Sequence, residues 1–187
     1  MKEQQLEEYK MLRDEIQNCV ERDNSLATFM VTAVATILTF AVSANLQVPF
    51  LFLISFCIII PFSARLAHYK ENVARISAYI IVYLEEEMFI KYETRTIQAK
   101  NPHSKKSKVI ISMRNYIGFW LGLVSYIIYI QQYLQKIGIN DKLDVLFCVL
   151  PILLLYLTFS IDKKVDSVPQ NRKSWIDIFQ KQKKEKL

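Results

Sequence analysis

Glycine is nearly missing from this chain, with 3 residues among 187. So few glycines cannot build the turns that cradle phosphates, which excludes the glycine-rich nucleotide loops. Histidine is scarcer still, and His68 and His103 lie far apart with neither a nucleophile nor a metal-ligand cluster beside them. The cysteines Cys19, Cys57 and Cys148 show no C-x-x-C spacing, so neither a disulfide framework nor a zinc site is expected. The acidic run Glu85, Glu86, Glu87 with Glu93 is the nearest approach to paired carboxylates. Beside Lys91 and Arg95 it reads as a solvated helix face. No catalytic residue, metal or cofactor is expected, and the chain is not read as an enzyme.

Charge is also missing, but only in blocks. Hydrophobic residues make up 52% of the chain and the mean hydropathy is +0.15. A soluble core spreads apolar residues at helical or strand periods, whereas here they gather in uncharged runs. Four runs, Ser25–Leu46, Val48–Ala64, Asn115–Tyr133 and Leu143–Ile161, approach the ~20 residues a helix needs to cross ~30 Å of hydrocarbon. The expected fold is all-α, a polytopic membrane protein with four transmembrane helices and cytoplasmic helical extensions. The first run follows an acidic segment rather than a short basic start, so it does not read as a cleaved signal.

The charges orient these spans. Of the 24 Lys and Arg, all but Lys136 and Lys142 fall on one side of a four-span chain. The positive-inside rule makes that side cytoplasmic, with both termini inside. The organisation is then a cytoplasmic amphipathic helix over 1–24, a transmembrane hairpin over 25–64 and a cytoplasmic helix with a basic loop over 65–114. A second hairpin covers 115–161, and a basic cytoplasmic tail covers 162–187.

The cytoplasmic segments read as helices. Leu6, Tyr9, Leu12, Ile16 and Cys19 recur at steps of three or four, as do Leu66, Tyr69, Val73, Ile76, Ile80 and Tyr83. The second series predicts a helix that continues out of the second span and packs on a neighbour. Asp23, Asn24 or Ser25 is expected to cap the start of the first span. The sequence KNPHSKKSK is expected to break the later helix.

Inside the first span Thr28, Thr32, Thr36, Thr39 and Ser43 repeat on one helix face. Helix packing and a watery path both suit such a stripe. Small hydroxyl residues let helices approach closely, and hydroxyls also solvate ions without a fixed charge in lipid. No acid or base interrupts the stripe, which argues against a proton relay. In the third span Gly118, Gly122 and Ser125 form a small face that reads as helix packing. Tyr126, Tyr129 and Tyr133 read as an interfacial belt. Pro61 and Pro151 either kink or end their helices. The tail mixes Arg172, Lys173, Lys181, Lys183 and Lys184 with Trp175. Such a segment suits an anionic ligand, either lipid headgroups or a nucleic-acid or nucleotide signal.

The segments EYKMLRDEI, NSLATFMVTAVATILTFA, IPFSARLAHYKENVARISAYIIVYLEEE and KYETR resemble the SLATT-type membrane effectors of antiphage defence. The resemblance covers roughly residues 5 to 95, and the four-span count differs from that group's two-span layout. It extends to the channel subunit of the Hailong system and the accessory membrane pore of a CRISPR system. It implies a homo-oligomeric pore that depolarises the inner membrane on infection (abortive infection), working with a nucleotidyltransferase or CRISPR effector. With it, the hydroxyl stripe is read as the pore wall. The alternative is a non-conducting membrane anchor that recruits a soluble partner through its heptad helix and tail. The orientation predicts that a protease confined to the periplasm leaves the tail intact and that a carbonate wash does not release the chain. Immunoblotting the tail checks both.

Overall fold

The computed structural model describes residues 2–43, 51–84, 115–136, 142–163 and 171–178. Its side chains are described over 3–42, 53–84, 115–135, 148–163 and 171–178. The described chain is all helical. Helix α1 runs Lys2–Ser43 and α2 runs Leu51–Tyr79, ending in a π turn at Ile80–Leu84. Helix α3 is Ile117–Lys136, α4 is Lys142–Lys163, and residues 171–178 form a short tail helix.

Two of these helices, over Glu3–Val42 and Ile117–Gln135, are long and apolar enough to cross a membrane, where four were expected. The shortfall has a simple origin in the described residues. The described uncharged stretch of α2, from Leu51, is cut short by Arg65, which leaves fewer than the ~20 apolar residues that a spanning helix requires. Helix α4 is described in its side chains only from Cys148 onward.

No cap interrupts α1 at Asp23, Asn24 or Ser25. The helix passes through all three, and the Asn24 carbonyl accepts a hydrogen bond from Thr28 Oγ1 at 2.9 Å. None of the three residues breaks a helix, and their preference for caps is weak against packing on both sides. Both prolines also lie within helices rather than at their ends, Pro61 in α2 and Pro151 in α4.

The chain divides into two compact units. One comprises Met1–Asp23, His68–Lys108 and Val165–Leu187, and the other Asn24–Ala67 and Val109–Lys164. The second unit holds the uncharged runs. Its core has Met30 and Val34 of α1 against Ile59 and Leu66 of α2, with Phe29 stacked on Phe62 at 5.6 Å. A second cluster joins Ala41 of α1 to Tyr129 and Tyr133 of α3.

The small face of α3 lets its neighbours close in. A Cβ on Gly118 would overlap Ser63 Oγ of α2 and lie 3.5 Å from Asp162 Oδ2 of α4. A Cβ on Gly122 would meet Leu155 Cδ2 at 3.0 Å and Phe56 Cε1 at 3.2 Å. These pairings make α3 antiparallel to both α2 and α4. Ser125 continues the face and is fully buried.

Tyr129 and Tyr133 do not form an interfacial belt. Both are almost fully buried, with ring centroids 5.6 Å apart. They lie on the same helical face as Gly118, Gly122 and Ser125, so the face that closes on α2 and α4 carries them inward.

The first unit has its own small core. Ile16 of α1 packs with Ile80 and Leu84, flanked by Tyr9, Leu12, Val73, Ile76 and Tyr79. The two periodic series therefore pair with each other within one chain. The π turn alters the expected register. Its wider spiral places Leu84, rather than Tyr83, on the Ile80 face, and Tyr83 is half-buried beside it.

Because the atom that Gly118 excludes is the tip of a serine, its cost is separable. Gly118→Ala destabilises the detergent-purified protein by about 1–3 kcal/mol through overpacking, read as a lower melting temperature. Ser63→Ala in the same chain restores most of that loss, as a double-mutant cycle in thermal unfolding shows.

Candidate functional site

Threonines on a membrane-type helix carry a donor that hydrocarbon cannot satisfy. Here the helix satisfies it itself. Thr32 Oγ1 donates to Thr28 O at 2.9 Å and Thr36 Oγ1 to Thr32 O at 2.8 Å, repeating the Thr28–Asn24 bond. Each proton is turned inward along α1, so only oxygen lone pairs remain for outside groups.

The position of the stripe on the helix matters as much as its chemistry. Thr28, Thr32, Thr36 and Thr39 are all exposed, while Met30 and Val34 on the other side of α1 are completely buried. The stripe is thus not the face by which α1 packs within its own unit. That work falls to Ser55 and Ser63 of α2, Ser125 of α3 and Thr158 of α4, all fully buried. Thr158 donates to Leu155 O at 2.8 Å, whereas Ser63 Oγ and Ser125 Oγ are buried with no protein partner. Ser43 is the last residue of α1, and its side chain lies outside the described residues.

One end of this unit carries a carboxylate. Asp162 Oδ2 accepts from the Phe119 backbone N–H at 3.2 Å, in the first turn of α3. The first N–H groups of a helix have no partner within it, and a carboxylate there also meets the positive end of the helix dipole. Asp162 was not among the residues singled out from the sequence. The available signal was its place at the polar end of the fourth run, level with the start of the third in an antiparallel pair.

In the other unit the tail residues separate. Arg172 and Lys173 are exposed on the tail helix, and Trp175 is half-buried. The indole stands edge-on to Tyr79, centroid separation 5.3 Å, and to Tyr83 at 6.0 Å. Those two tyrosines are themselves stacked at 4.9 Å. Trp175, expected on an anionic ligand or lipid, closes an aromatic cluster with Tyr79 and Tyr83. Lys181, Lys183 and Lys184 lie outside the described residues, as do His103 and Glu85, Glu86, Glu87 and Glu93. His68 is within 3.2 Å of Asn72 Nδ2, one turn along the same helix. Among the described residues no three His, Cys, Asp or Glu side chains gather as a metal site would require.

The Asp162 contact predicts a cost of about 0.5–2 kcal/mol for Asp162→Ala, with a smaller cost for Asp162→Asn, whose amide oxygen keeps the hydrogen bond while the charge at the helix end is lost. Thermal unfolding reads the cost, and hydrogen exchange at the Phe119 amide locates it. The chain matches no protein-family model, no curated protein and no solved structure.

Proposed function

We propose that the protein is a homo-oligomeric pore of the bacterial inner membrane, built from four-span subunits. It acts as an effector of antiphage defence that depolarises the membrane when triggered. The trigger comes through a partner, a nucleotidyltransferase or a CRISPR effector, by the resemblance drawn from the sequence. One observation carries the pore: a continuous hydroxyl face on α1 that its own subunit leaves uncovered.

Closely packed helices leave no aqueous lumen inside one subunit, so a path must form between copies. A face lining such a path needs groups that water and ions accept in place of hydration. Thr28, Thr32, Thr36 and Thr39 offer hydroxyl oxygens, with the protons of the first three already bonded to α1. Lone pairs directed outward suit cations and the hydrogens of water. Around the rest of the unit the outer surface is apolar, with Phe40, Leu153 and Tyr156 among the most exposed side chains. In hydrocarbon such a surface faces lipid at no cost.

The anchor reading is weaker on one specific point. The heptad helix through which it would recruit a partner already packs Val73, Ile76 and Ile80 against α1. Among the described residues, the surface left for a soluble protein is then mainly the tail helix and the acidic face of α1.

Replacing the lining hydroxyls separates these readings. Thr32→Leu and Thr36→Leu each reduce ion flux into liposomes roughly tenfold or more, while the complex keeps its mass. Flux equal to that of the parent protein returns the stripe to helix contact.

A further inference from the structure

We propose that the tail helix, 171–178, is an exchangeable latch whose Trp175 moves between the Tyr79–Tyr83 slot and an anionic lipid surface. This depends on the membrane seating proposed above, but not on conduction.

The docked state is visible within one unit. Tyr79 is held from the other side, its hydroxyl donating to Glu8 Oε1 of α1 at 2.8 Å. The stacked Tyr79–Tyr83 pair then presents a fixed aromatic wall, and Trp175 meets both rings edge-on. Tyr83 belongs to the π turn, the part of α2 that departs from regular helix. π turns are costly relative to α-helix and are kept where their neighbours hold them. The latch therefore seats on the least regular turn of the helix it contacts.

The same contact is built to come apart. The described turns of the tail helix rest on the Tyr79–Tyr83 wall through ring edges, a contact worth only about 0.5–1.5 kcal/mol per aromatic pair beyond the area buried. Docking engages one face only: Asn171, Trp175 and Ile176 are half-buried while Arg172, Lys173, Ser174, Asp177 and Ile178 are exposed. Within that face Asn171 Nδ2 is buried with no protein partner. An unmet amide donor penalises the docked state, and the penalty vanishes on undocking into water.

The alternative seat follows from composition. Arg172 and Lys173 beside Trp175, Ile176 and Ile178 combine charge for anionic headgroups with rings and branched chains for the acyl boundary. Tryptophan is itself enriched at that boundary. Single-stranded nucleic acid fits less well, because it needs several open ring faces in succession, and among the described residues of this helix the one aromatic ring, Trp175, already stands against Tyr79 and Tyr83.

The test uses the full-length chain with Trp120→Phe, which leaves Trp175 as the sole tryptophan. It is reconstituted with brominated phosphatidylcholine, alone or with about one third phosphatidylglycerol, where quenching of Trp175 is expected to rise about twofold with the anionic lipid. Arg172→Glu with Lys173→Glu abolishes that rise. Tyr83→Leu produces high quenching already in the neutral vesicles, because the slot is lost. Equal quenching in both lipids overturns the exchange. So does displacement of Trp175 by a short single-stranded oligonucleotide in neutral vesicles with no response to lipid, which reassigns the partner. A chain that exchanges but carries no current sinks the pore and leaves the latch standing. A chain washed off by carbonate sinks both.

Discussion

The apolar unit depends on two missing methyl groups. At Gly118 and Gly122 the backbone of α3 comes close enough to α2 and α4 that a single carbon would collide with Ser63 or crowd Phe56 and Leu155. Without a hydrophobic drive between helices in lipid, association relies on close van der Waals contact, and small residues make that contact possible. The tyrosines Tyr129 and Tyr133 are consequences of the same approach. Being on the glycine face, they are carried into the interior, where Ala41 of α1 is small enough to receive them. Asp162 completes the arrangement by closing the start of α3, an end that would otherwise hold open donors in an apolar setting.

Helix α1 serves two environments at once because it has two unlike faces. Met30, Val34 and Ala41 turn towards α2 and α3, and the threonines turn away. The back-bonded hydroxyl reconciles the two. A threonine whose proton is spent on its own helix is cheap to place against lipid, against another helix or against water. Such a face would tolerate insertion as a single subunit and would still supply polar oxygens in the proposed assembly. That dual compatibility is what supports the proposed pore. A charged residue in the same position would be costly until assembly.

The polar unit obeys a different logic. Its amphipathic faces satisfy one another, with Ile16, Ile80 and Leu84 forming a minimal core and the aromatic trio Tyr79, Tyr83 and Trp175 beside it. Each aromatic pair contributes only about 0.5–1.5 kcal/mol beyond the area it buries. The proposed latch rests on this cluster, with an unmet amide donor, Asn171 Nδ2, in its contact face.

Sequence alone determined what depends on local pattern. Helical class, the polarity of each segment, the small face of α3 and the hydroxyl face of α1 all follow from periodicity, and periodicity is a property of one helix taken by itself. Tertiary structure decided which way those faces turn and what meets them. It carried α1 unbroken through Asp23, Asn24 and Ser25, because packing on both sides outweighs a weak preference for a cap. It put Tyr129 and Tyr133 inside, left the threonines outside and shifted the buried seam to Leu84 through a π turn. It also paired Asp162 with Phe119 and Trp175 with Tyr79 and Tyr83. Those contacts join residues distant in sequence, and no periodicity within either partner encodes the distance between them.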